Sequence, residues 1–348
     1  MPEVDVLVAG GGPAGMAAAI RAADAGMSVV IAEPKAGPID KACGEGLMPR
    51  TLLALEELGI CGLHGAPFRG IRYLSTTQSG AARFSLGPGL GVRRTTLHQA
   101  MRDRTEALGV QWIEARITEW SEGPDWIEAA GTRARWLIAA DGLQSGIRKH
   151  MDVQRPSSLP TRLGVRRHFK ATPWSEYVDV HWRAHAEAYV TPVGPDTVGV
   201  GILYAPDAVP DGPGTPFERL MTLFPQIAQR LGEPCSSVAG AGPFSQELRT
   251  RQQGRVFLVG DASGYVDPMT GEGIRVGLDT AKVAVRGIQD DRPDLYDRAW
   301  ARATYRYRWM TTAILRIRLI PMLQRLIVPV VARVPWCLRR AIDFLNGP

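Results

Sequence analysis

Cysteine is scarce in this chain, and its few residues are widely spaced. The 348 residues include four cysteines, at positions 43, 61, 235 and 337, and none belongs to a Cys-x-x-Cys pair. Structural zinc sites and disulfide frameworks need cysteines at short, regular spacing or in larger numbers. The sequence therefore predicts neither a metal site nor a disulfide scaffold.

Long apolar runs are also missing. The C-terminal stretch 313–345 is rich in leucine, isoleucine and valine, but three prolines interrupt it: Pro321, Pro329 and Pro335. A helix that crosses a bilayer needs about 20 consecutive apolar residues. This stretch is therefore not predicted to span a membrane.

Acidic residues are almost absent from the end of the chain. Residues 301–348 hold nine arginines and one acid, Asp343, a balance of +8, so with a formal net charge of +6 the first 300 residues sum to −2. No nucleic-acid motif accompanies the basic tail, and the sequence predicts no DNA or RNA partner. Arginines spaced among leucines instead predict short amphipathic helices. These helices could lie on an anionic membrane surface, cover a substrate site as a lid, or pack against the core.

A cationic leader is missing too, since Glu3 and Asp5 lie close to the first residue. This absence argues against secretion and favours a cytoplasmic location. An apolar fraction of 45% and a charged fraction of 22% are ordinary for a globular protein. A chain of 348 residues suits one large domain or two interleaved ones.

A glycine-rich turn near the N-terminus is the most informative feature that is present. The apolar run Val4 to Val8 predicts a buried parallel strand, and an alanine-rich helix follows it and stops at Gly26. Glycines in such a turn allow the tight bend, leave room for a pyrophosphate and let helix and strand pack closely. Free N–H groups at the helix start then face the phosphates. The candidate binding residues of the turn are Gly10, Gly12, Pro13, Ala14 and Gly15.

An acid at the end of the next strand supports a nucleotide site. Val29 to Ala32 predicts a second strand, and Glu33 follows it directly. A carboxylate at this place accepts hydrogen bonds from the hydroxyls of an adenosine ribose and disfavours a 2′-phosphate. FAD or NAD therefore fits this site better than NADP.

Two later strands also end in paired aspartate and glycine. One leads to Asp141-Gly142 and the other to Gly260-Asp261, after which a helix is predicted to begin at 271–273. An aspartate there can accept a hydrogen bond from a ribityl hydroxyl, and the positive end of the helix dipole can stabilise the negative charge of a reduced flavin. NAD has no ribityl chain, so this second site favours FAD. The inner face of the helix is predicted to be Ile274, Leu278, Ala281, Val285 and Ile288.

The rest of the chain predicts further elements. A loop rich in glycine and proline covers 34–49, and a hairpin covers 68–84 with its turn at Gly80. Helices are predicted over 50–58, 94–108 and 217–231. Further strands are predicted over 110–118, 126–130, 163–169, 178–182, 188–191 and 197–204, and the last four suggest an antiparallel sheet.

Together these motifs resemble the glutathione-reductase-like flavoproteins of the para-hydroxybenzoate hydroxylase type, over residues 1 to about 290. The resemblance implies an α/β fold in which a Rossmann-like FAD-binding domain is interleaved with a mainly antiparallel substrate sheet and followed by C-terminal helices. It also implies FAD as cofactor and NAD(P)H as a transient reductant. The cofactor-binding residues that it implies are Gly10, Gly12, Pro13, Ala14, Gly15, Glu33, Arg94, Ile117, Asp141, Gly142, Asp261, Pro268, Gly271, Gly273 and Ile274.

The same resemblance divides the chain into three parts. Residues 1–67, 90–160 and 250–300 form the FAD-binding domain, 68–89 and 161–249 the substrate domain, and 301–348 the basic apolar C-terminal helices. Within the FAD-binding domain, Arg94 matches the arginine that opens a helix near FAD. Ile117, at the end of a third strand, matches a backbone contact with adenine.

Two branches of this superfamily compete. Asp40-Lys-Ala-Cys-Gly-Glu-Gly46 and Thr270-Gly-Glu-Gly-Ile274 resemble the geranylgeranyl reductases, which saturate prenyl double bonds. The reductases carry a Tyr-x-Trp-x-Phe-Pro type of motif, whereas this chain has Tyr189 and Thr191 at the tryptophan and phenylalanine positions. That segment is more similar to the monooxygenases. Flavin-dependent halogenases are also related, but neither their Trp-x-Trp-x-Ile-Pro motif nor a catalytic lysine in context is present.

Four residues are candidates for the substrate pocket: Cys43, Glu45, His168 and Tyr189. For His168 the simpler interpretation is a histidine on the surface of the sheet. Cys43 is either a reactive neighbour of the flavin ring or a small residue that fits a tight loop. The flavin would supply the chemistry, so no protein residue is assigned as catalytic.

The sequence thus favours an FAD-dependent, NAD(P)H-driven monooxygenase that hydroxylates or epoxidises a small lipophilic, aromatic or prenylated secondary metabolite. The alternative enzyme is a geranylgeranyl-reductase-like enzyme that saturates prenyl double bonds. A non-catalytic FAD-binding protein is the second alternative. The expected location is cytoplasmic, with peripheral membrane contact through the tail, and the sequence does not predict the oligomeric state.

Overall fold

The computed structural model describes residues 3–346. Its strands, in chain order, are β1 Val4–Ala9, β2 Val29–Ala32, β3 Gly46–Leu47, β4 Ala66–Phe68, β5 Gly70–Leu74, β6 Ser79–Arg83, β7 Gly89–Gly91, β8 Gln111–Ile113, β9 Ser121–Glu122, β10 Ile127–Ala129, β11 Thr132–Ala139, β12 Gln154–Arg155, β13 Leu163–Lys170, β14 Val178–Trp182, β15 Ala186–Gly194, β16 Thr197–Tyr204, β17 Ala239–Ala241, β18 Glu247–Leu248, β19 Gln252–Gln253 and β20 Val256–Leu258. Its α-helices are α1 Pro13–Asp24, α2 Pro49–Glu56, α3 Arg94–Ala107, α4 Gly146–His150, α5 Pro216–Met221, α6 Pro225–Ala228, α7 Gly273–Gln289, α8 Tyr296–Arg318, α9 Pro321–Arg333 and α10 Pro335–Asn346.

The first sheet is built around β1, in the order β19-β20-β11-β1-β2-β8. Strands β20, β11, β1, β2 and β8 run parallel to their neighbours in this series. Their near-continuous apolar sequences suit strands that are covered on both faces, and α1, α3 and α7 contribute to the core on one of these faces. Because the strands are parallel, the residues that follow β1, β2, β11 and β20 meet at one edge of the sheet. The glycine turn, Glu33, Asp141 and Asp261 all lie at that edge.

The second sheet has the order β17-β13-β16-β15-β14-β5-β6. Every neighbouring pair is antiparallel except β14 and β5. One face packs its valines, isoleucine and alanines against α5 and α6. The predicted fold class, a Rossmann-like domain combined with a mainly antiparallel sheet and C-terminal helices, is therefore confirmed. The division of the chain into domains stays a prediction.

The predicted turn at Gly80 is wrong. The hairpin turns at residues 75–78, where the Ser75 N–H donates to the Gln78 carbonyl at 2.9 Å. Gly80 instead lies within β6, and a Cβ at this position would be 2.6 Å from the backbone nitrogen of Ala332 in α9. The glycine is needed because a helix backbone packs directly on the strand.

Two other predicted elements are shorter than expected. The strand predicted over 110–118 is limited to β8, and the helix predicted over 217–231 is split into α5 and α6. Pro225 explains the split, because the residue before a proline is disfavoured in the helical conformation. Phe224 accordingly has φ −129° and ψ 56°.

The C-terminal helices pack against the body of the protein. Tyr296, Trp300 and Tyr307 of α8 are buried, and Val328 of α9 and Leu345 of α10 are buried as well. This agrees with packing against the core, one of the three roles considered for the tail. Across residues 3–346, no helix combines the length and the apolar character that spanning a bilayer would require.

Candidate active site

The glycine turn after β1 leaves an open space of the kind that a phosphate fills. Gly10 has φ +107°, and a Cβ there would be 2.5 Å from the Ala140 carbonyl oxygen; a Cβ on Gly15 would be 1.9 Å from the Gly10 oxygen. At Gly12 the nearest atom to an added Cβ is Arg94 Nη2, at 3.9 Å. Helix α1 starts at Pro13 without a side-chain cap. Its unpaired N–H groups and the space beside Gly12 fit an anionic group.

Glu33 is fixed at the end of β2. Its Oε2 accepts a hydrogen bond from the Gly11 N–H at 2.8 Å, and its Oε1 accepts one from the Lys35 N–H at 3.1 Å. An ionised carboxylate has about four acceptor positions. Glu33 therefore keeps acceptor capacity for a pair of ribose hydroxyls.

Two cations face the same space, and neither forms an ion pair with a carboxylate of the described residues. Arg94 is buried, its Nη1 has no hydrogen-bond acceptor among the described residues, and burial lowers its pKa. Enclosure and the nearby Arg94 charge lower the pKa of Lys41, although Glu33 and Asp261 oppose this. Two cations whose charged forms are both disfavoured would gain from an added anion. A diphosphate provides such a charge.

A buried arginine joins the two aspartate loops. Arg148 donates to the Asp261 carbonyl at 3.2 Å and to the Leu143 carbonyl at 2.6 Å. Asp141 Oδ2 accepts from the Ile147 N–H at 3.2 Å, whereas its buried Oδ1 has no donor among the described residues. Burial raises the pKa of Asp261. The two carboxylates thus present free acceptors to the cleft, where hydroxyl donors would satisfy them.

Helix α7 begins beside these loops. Gly260 and Gly277 both pack against Ala14, so α7 approaches the first turn of α1 closely. The short turn that starts at Pro268 leads to Gly271, where a Cβ would be 3.0 Å from Met48 Cε, and Ile274 packs into the core. The first residue of α7 is Gly273, and no side chain caps this end. Its N–H groups are free to stabilise negative charge.

The loop 34–49 is held against the second sheet by a chain of buried polar contacts. Arg166 of β13 pairs with Asp40 and donates to the Lys41 carbonyl at 2.9 Å. Glu45 Oε1 accepts from the Arg94 N–H at 2.8 Å, and Glu45 Oε2 lies 2.5 Å from His168 Nε2. The loop is therefore fixed both to the start of α3 and to the substrate sheet.

The interpretation of His168 as a surface residue is wrong. Its side chain is 0% exposed because Glu45 and Ser236 cover its ring nitrogens. Nδ1 lies 3.0 Å from Arg166 Nη1, which can only donate. This places the proton on Nε2, where it is donated to Glu45. Both Glu45 and His168 act by holding the loop.

Cys43 lies in that fixed loop. The Glu45 N–H points to its Sγ at 3.4 Å. Burial raises the pKa of the Cys43 thiol, against the opposing charge of Arg94. Cys43 is thus a protonated thiol at neutral pH, in the loop that is fixed between the start of α3 and the substrate sheet.

Of the remaining candidates, Tyr189 contacts the site, and the adenine contact of Ile117 stays a prediction. The Tyr189 hydroxyl donates to the Met269 carbonyl at 3.1 Å, and burial raises its pKa well above the ordinary value. Tyr189 therefore contacts the loop that precedes α7. Ile117 lies four residues beyond β8, which ends at Ile113, and its side chain is buried in the core. Its predicted position at a strand end is wrong, because the strand is shorter.

A group of four buried charges, here named the buried quartet, lies behind Tyr189. Arg162 pairs with Glu187 and with Asp267, the latter at 3.0 Å, and Arg318 of α8 lies 2.5 Å from Glu187. The charges balance, as buried charges require. Burial nevertheless raises the pKa of Asp267 to about 6. The quartet connects the tail, the substrate sheet and the loop before α7.

Three residues of the site were missed by the sequence analysis: Lys41, Arg148 and Arg166. Lys41 lies inside the segment Asp40–Gly46, and Arg148 follows Asp141-Gly142 by six residues, so both lie in or near motifs that the sequence offers. Arg166 gave no such signal, because its partner Asp40 is 126 residues away in sequence.

These features fit FAD. The first turn of α1, Arg94 and Lys41 would hold the diphosphate, and Glu33 would hold the adenosine ribose. Asp261 would accept from the ribityl chain, and the start of α7 would face the flavin ring.

Two buried histidines predict how stability depends on pH. Burial lowers the pKa of His98 and of His181 to about 4, whereas an unfolded chain has a value of about 6.5. The unfolded state therefore binds more protons between these values, so stability is full above pH 6.5 and is lost as the pH falls toward 4. Asp267, whose pKa burial raises to about 6, acts in the opposite direction over this range, so the histidine effect is measured by comparing proteins. As the pH falls, the thermal midpoint of His98→Gln should decrease less, or increase more, than that of the wild type. The exposed control His64→Gln should follow the wild type, and equal slopes in all three proteins would contradict the assignment.

Comparisons with known proteins agree with this geometry. The sequence pattern of the FAD binding domain family matches residues 3–286. A menaquinone reductase of Mycolicibacterium smegmatis is 28% identical over 334 residues, which cover 86% of this chain and 79% of the relative. A digeranylgeranylglycerophospholipid reductase of Methanopyrus kandleri is 29% identical over 319 residues, covering 83% of this chain and 82% of that one.

The fold is also found in solved structures. A geranylgeranyl bacteriochlorophyll reductase-like protein from Thermoplasma acidophilum superposes with a TM-score of 0.80 at 19% identity, over 98% of this chain and 96% of that one. The family match covers the glycine turn, both aspartate loops and helix α7 as far as residue 286. The chain belongs to the FAD binding domain family and is an FAD-dependent oxidoreductase.

Proposed function

We propose that the protein is an FAD-dependent reductase that saturates a carbon–carbon double bond in a prenylated lipophilic molecule. NADH or NADPH is the proposed source of electrons. Relatives at 28% and 29% identity are named reductases of menaquinone and of digeranylgeranylglycerophospholipid. These names support reduction more than the oxygen insertion that the sequence favoured.

The observation that carries the proposal is the position of Cys43, in the loop that Glu45 and Arg166 fix between the start of α3 and the substrate sheet. Saturation of an alkene adds one hydride and one proton, and a bound reduced flavin supplies the hydride. The proton must come from an acid close to the second carbon. Cys43 lies in that loop with the Glu45 N–H 3.4 Å from its Sγ, and its thiol is the proton donor that we propose. The resulting thiolate would be stabilised by the nearby Arg94 until solvent returns the proton.

The substrate side of the sheet suits an apolar molecule. Tyr73, Trp182, Tyr189 and Leu203 contribute to one apolar cluster with Met269, which precedes α7. Such a cluster excludes water, and the charged groups beside it, Arg162, Glu187, Asp267 and Arg318, are already paired with one another. This supports a lipophilic substrate, whose chain would lie across the sheet.

Monooxygenation is the second candidate. Tyr189 and Thr191 stand where the prenyl reductases that the sequence resembles have tryptophan and phenylalanine. Tyrosine in place of tryptophan and threonine in place of phenylalanine make the substrate pocket less bulky and more polar. Such a pocket favours an aromatic substrate over a prenyl chain.

Product mass separates the candidates. The purified flavoprotein is mixed with NADH or NADPH and either a menaquinone or a geranylgeranyl lipid, with and without oxygen. The proposal expects a product that gains two hydrogen atoms in the absence of oxygen. A product that gains one oxygen atom, formed only in air, would instead establish a monooxygenase. A reducible flavin that converts no substrate of either class would contradict both and leave a non-catalytic FAD-binding protein.

A further inference from the structure

The outward side of α9 is apolar. Met322, Leu326 and Val330 are 69%, 47% and 46% exposed, and their spacing of four residues places them on one side of the helix. The buried residues Gln324 and Val328 belong to the opposite side. A surface helix ordinarily turns its polar residues outward. Helix α9 therefore has apolar residues on both sides, and only one side is covered in the structure.

The exposed apolar residues continue at both ends of α9. We name the whole set the apolar corner: Ile317, Leu319, Ile320, Met322, Leu326, Val330 and Trp336. Outside the corner, the large exposed apolar side chains of the described residues are three separate leucines and two aromatic residues of α8, namely Leu53, Leu86, Leu295, Tyr305 and Trp309. Contiguous exposed apolar surface marks an interaction site, whereas single exposed leucines need no explanation.

Arginines surround the apolar corner. Arg316, Arg325 and Arg333 are exposed, and none forms an ion pair with a carboxylate of the described residues. Nine arginines and a single acid in residues 301–348 give this part of the chain a strong positive charge. The corner therefore suits a surface that is apolar inside and anionic outside, which describes a membrane containing anionic lipids.

A cavity of about 670 Å³ lies behind the corner. Leu319, Pro321 and Arg325 line it on the side of the corner, and Arg162 and Trp182 line it on the side of the sheet. Among the described residues, four arginines line it, Arg162, Arg183, Arg318 and Arg325, and no carboxylate does. Volumes of this size hold small molecules or parts of larger ones. The cavity can therefore take an apolar chain together with a group that accepts a hydrogen bond.

We propose that the apolar corner docks on an anionic lipid surface, and that the cavity behind it admits the lipophilic substrate from that surface. The docking proposal rests only on the exposed apolar residues and on the positive charge of the arginines around them. The role of the cavity rests on the proposed function, because it requires a lipophilic substrate. Arg162 lines the cavity and also belongs to the buried quartet. The cavity therefore lies next to the quartet and next to the loop before α7.

Vesicle flotation tests the docking. The purified flavoprotein is floated with vesicles of phosphatidylcholine, or of phosphatidylcholine mixed equally with phosphatidylglycerol. We expect binding to the anionic vesicles that weakens as salt is raised. Met322→Glu with Leu326→Glu should lower the bound fraction about tenfold or more, because two charges would enter the apolar layer. Leu53→Glu is the matched control, since Leu53 is a helical leucine with 50% exposure outside the corner.

Two results would overturn the docking. One is equal recovery of the wild type with and without anionic vesicles, as expected if the corner binds a protein. The other is an equal loss in the Leu53→Glu control. Flotation requires no turnover, so its outcome is independent of the product analysis that tests the proposed function.

The cavity is tested with Ala205→Trp, which places a large side chain in its lining. We expect an increase in KM of about tenfold for a long prenyl substrate in vesicles, with unchanged flotation. An unchanged KM for this variant would show that substrate does not pass through the cavity.

Discussion

Gly12→Asp is expected to weaken FAD binding by a factor of about 100 or more, while the protein stays folded. An added Cβ at Gly12 has its nearest neighbour at 3.9 Å, and the backbone there has φ −76°, which any residue can adopt. The fold therefore tolerates a side chain. A carboxylate at this place would occupy the space for the diphosphate and repel its charge. Titration of the apoprotein with FAD, followed by flavin fluorescence, measures the loss.

Gly131→Asp is the matched control for this variant. Gly131 lies in an exposed turn with nothing within 4 Å of an added Cβ. Its φ of +74° is a conformation that aspartate tolerates better than most residues. The control adds the same charge but should bind FAD normally. Normal FAD binding by Gly12→Asp would show that the diphosphate lies elsewhere.

Cys43→Ala is expected to lower the rate of double-bond reduction by a factor of about 100 or more, the usual contribution of a positioned acid. Hydride transfer without a proton donor would have to wait for water, which the apolar cluster excludes. The wild-type rate should be flat near neutral pH and fall at alkaline pH, because the raised pKa keeps the thiol protonated until then. Turnover with a prenyl substrate, measured across pH and in deuterated solvent, tests both effects.

The controls for Cys43 separate proton donation from loop structure. Cys61→Ala removes an exposed cysteine and should change nothing. Cys43→Ala itself should bind FAD and be reduced by NADH or NADPH as the wild type is. A wild-type turnover rate in Cys43→Ala would refute the proton donor, and the small-residue interpretation of Cys43 would then stand.

The parts of the fold that depend on neighbouring residues could be predicted from sequence. The strand, glycine turn and helix over residues 4–26 follow from apolar periodicity and from glycine spacing, both of which are local. The pairing of Glu33 with this turn could be predicted for a similar reason, because one βαβ unit contains both. The parallel order of the strands then placed Asp141 and Asp261 at the same edge of the sheet.

Features that depend on distant residues could not be predicted. Gly80 was interpreted as a turn because glycine is common in turns, whereas its actual role is to admit Ala332, which lies far along the chain. His168 is buried by Glu45, which is 123 residues away in sequence. Neither partner leaves a periodic signal. The same reason accounts for Arg166, whose contact with Asp40 also joins the two sheets.

The buried quartet has a consequence for how this protein can be dissected. The family match ends at residue 286, so a chain cut there would keep every residue that would hold FAD. It would lose Arg318, and the buried carboxylates of Glu187 and Asp267 would then share Arg162 alone. An uncompensated buried charge costs about 3–5 kcal/mol. We therefore expect a chain cut at residue 286 to be less stable than the whole chain, because the tail supplies one of the two cations of the quartet.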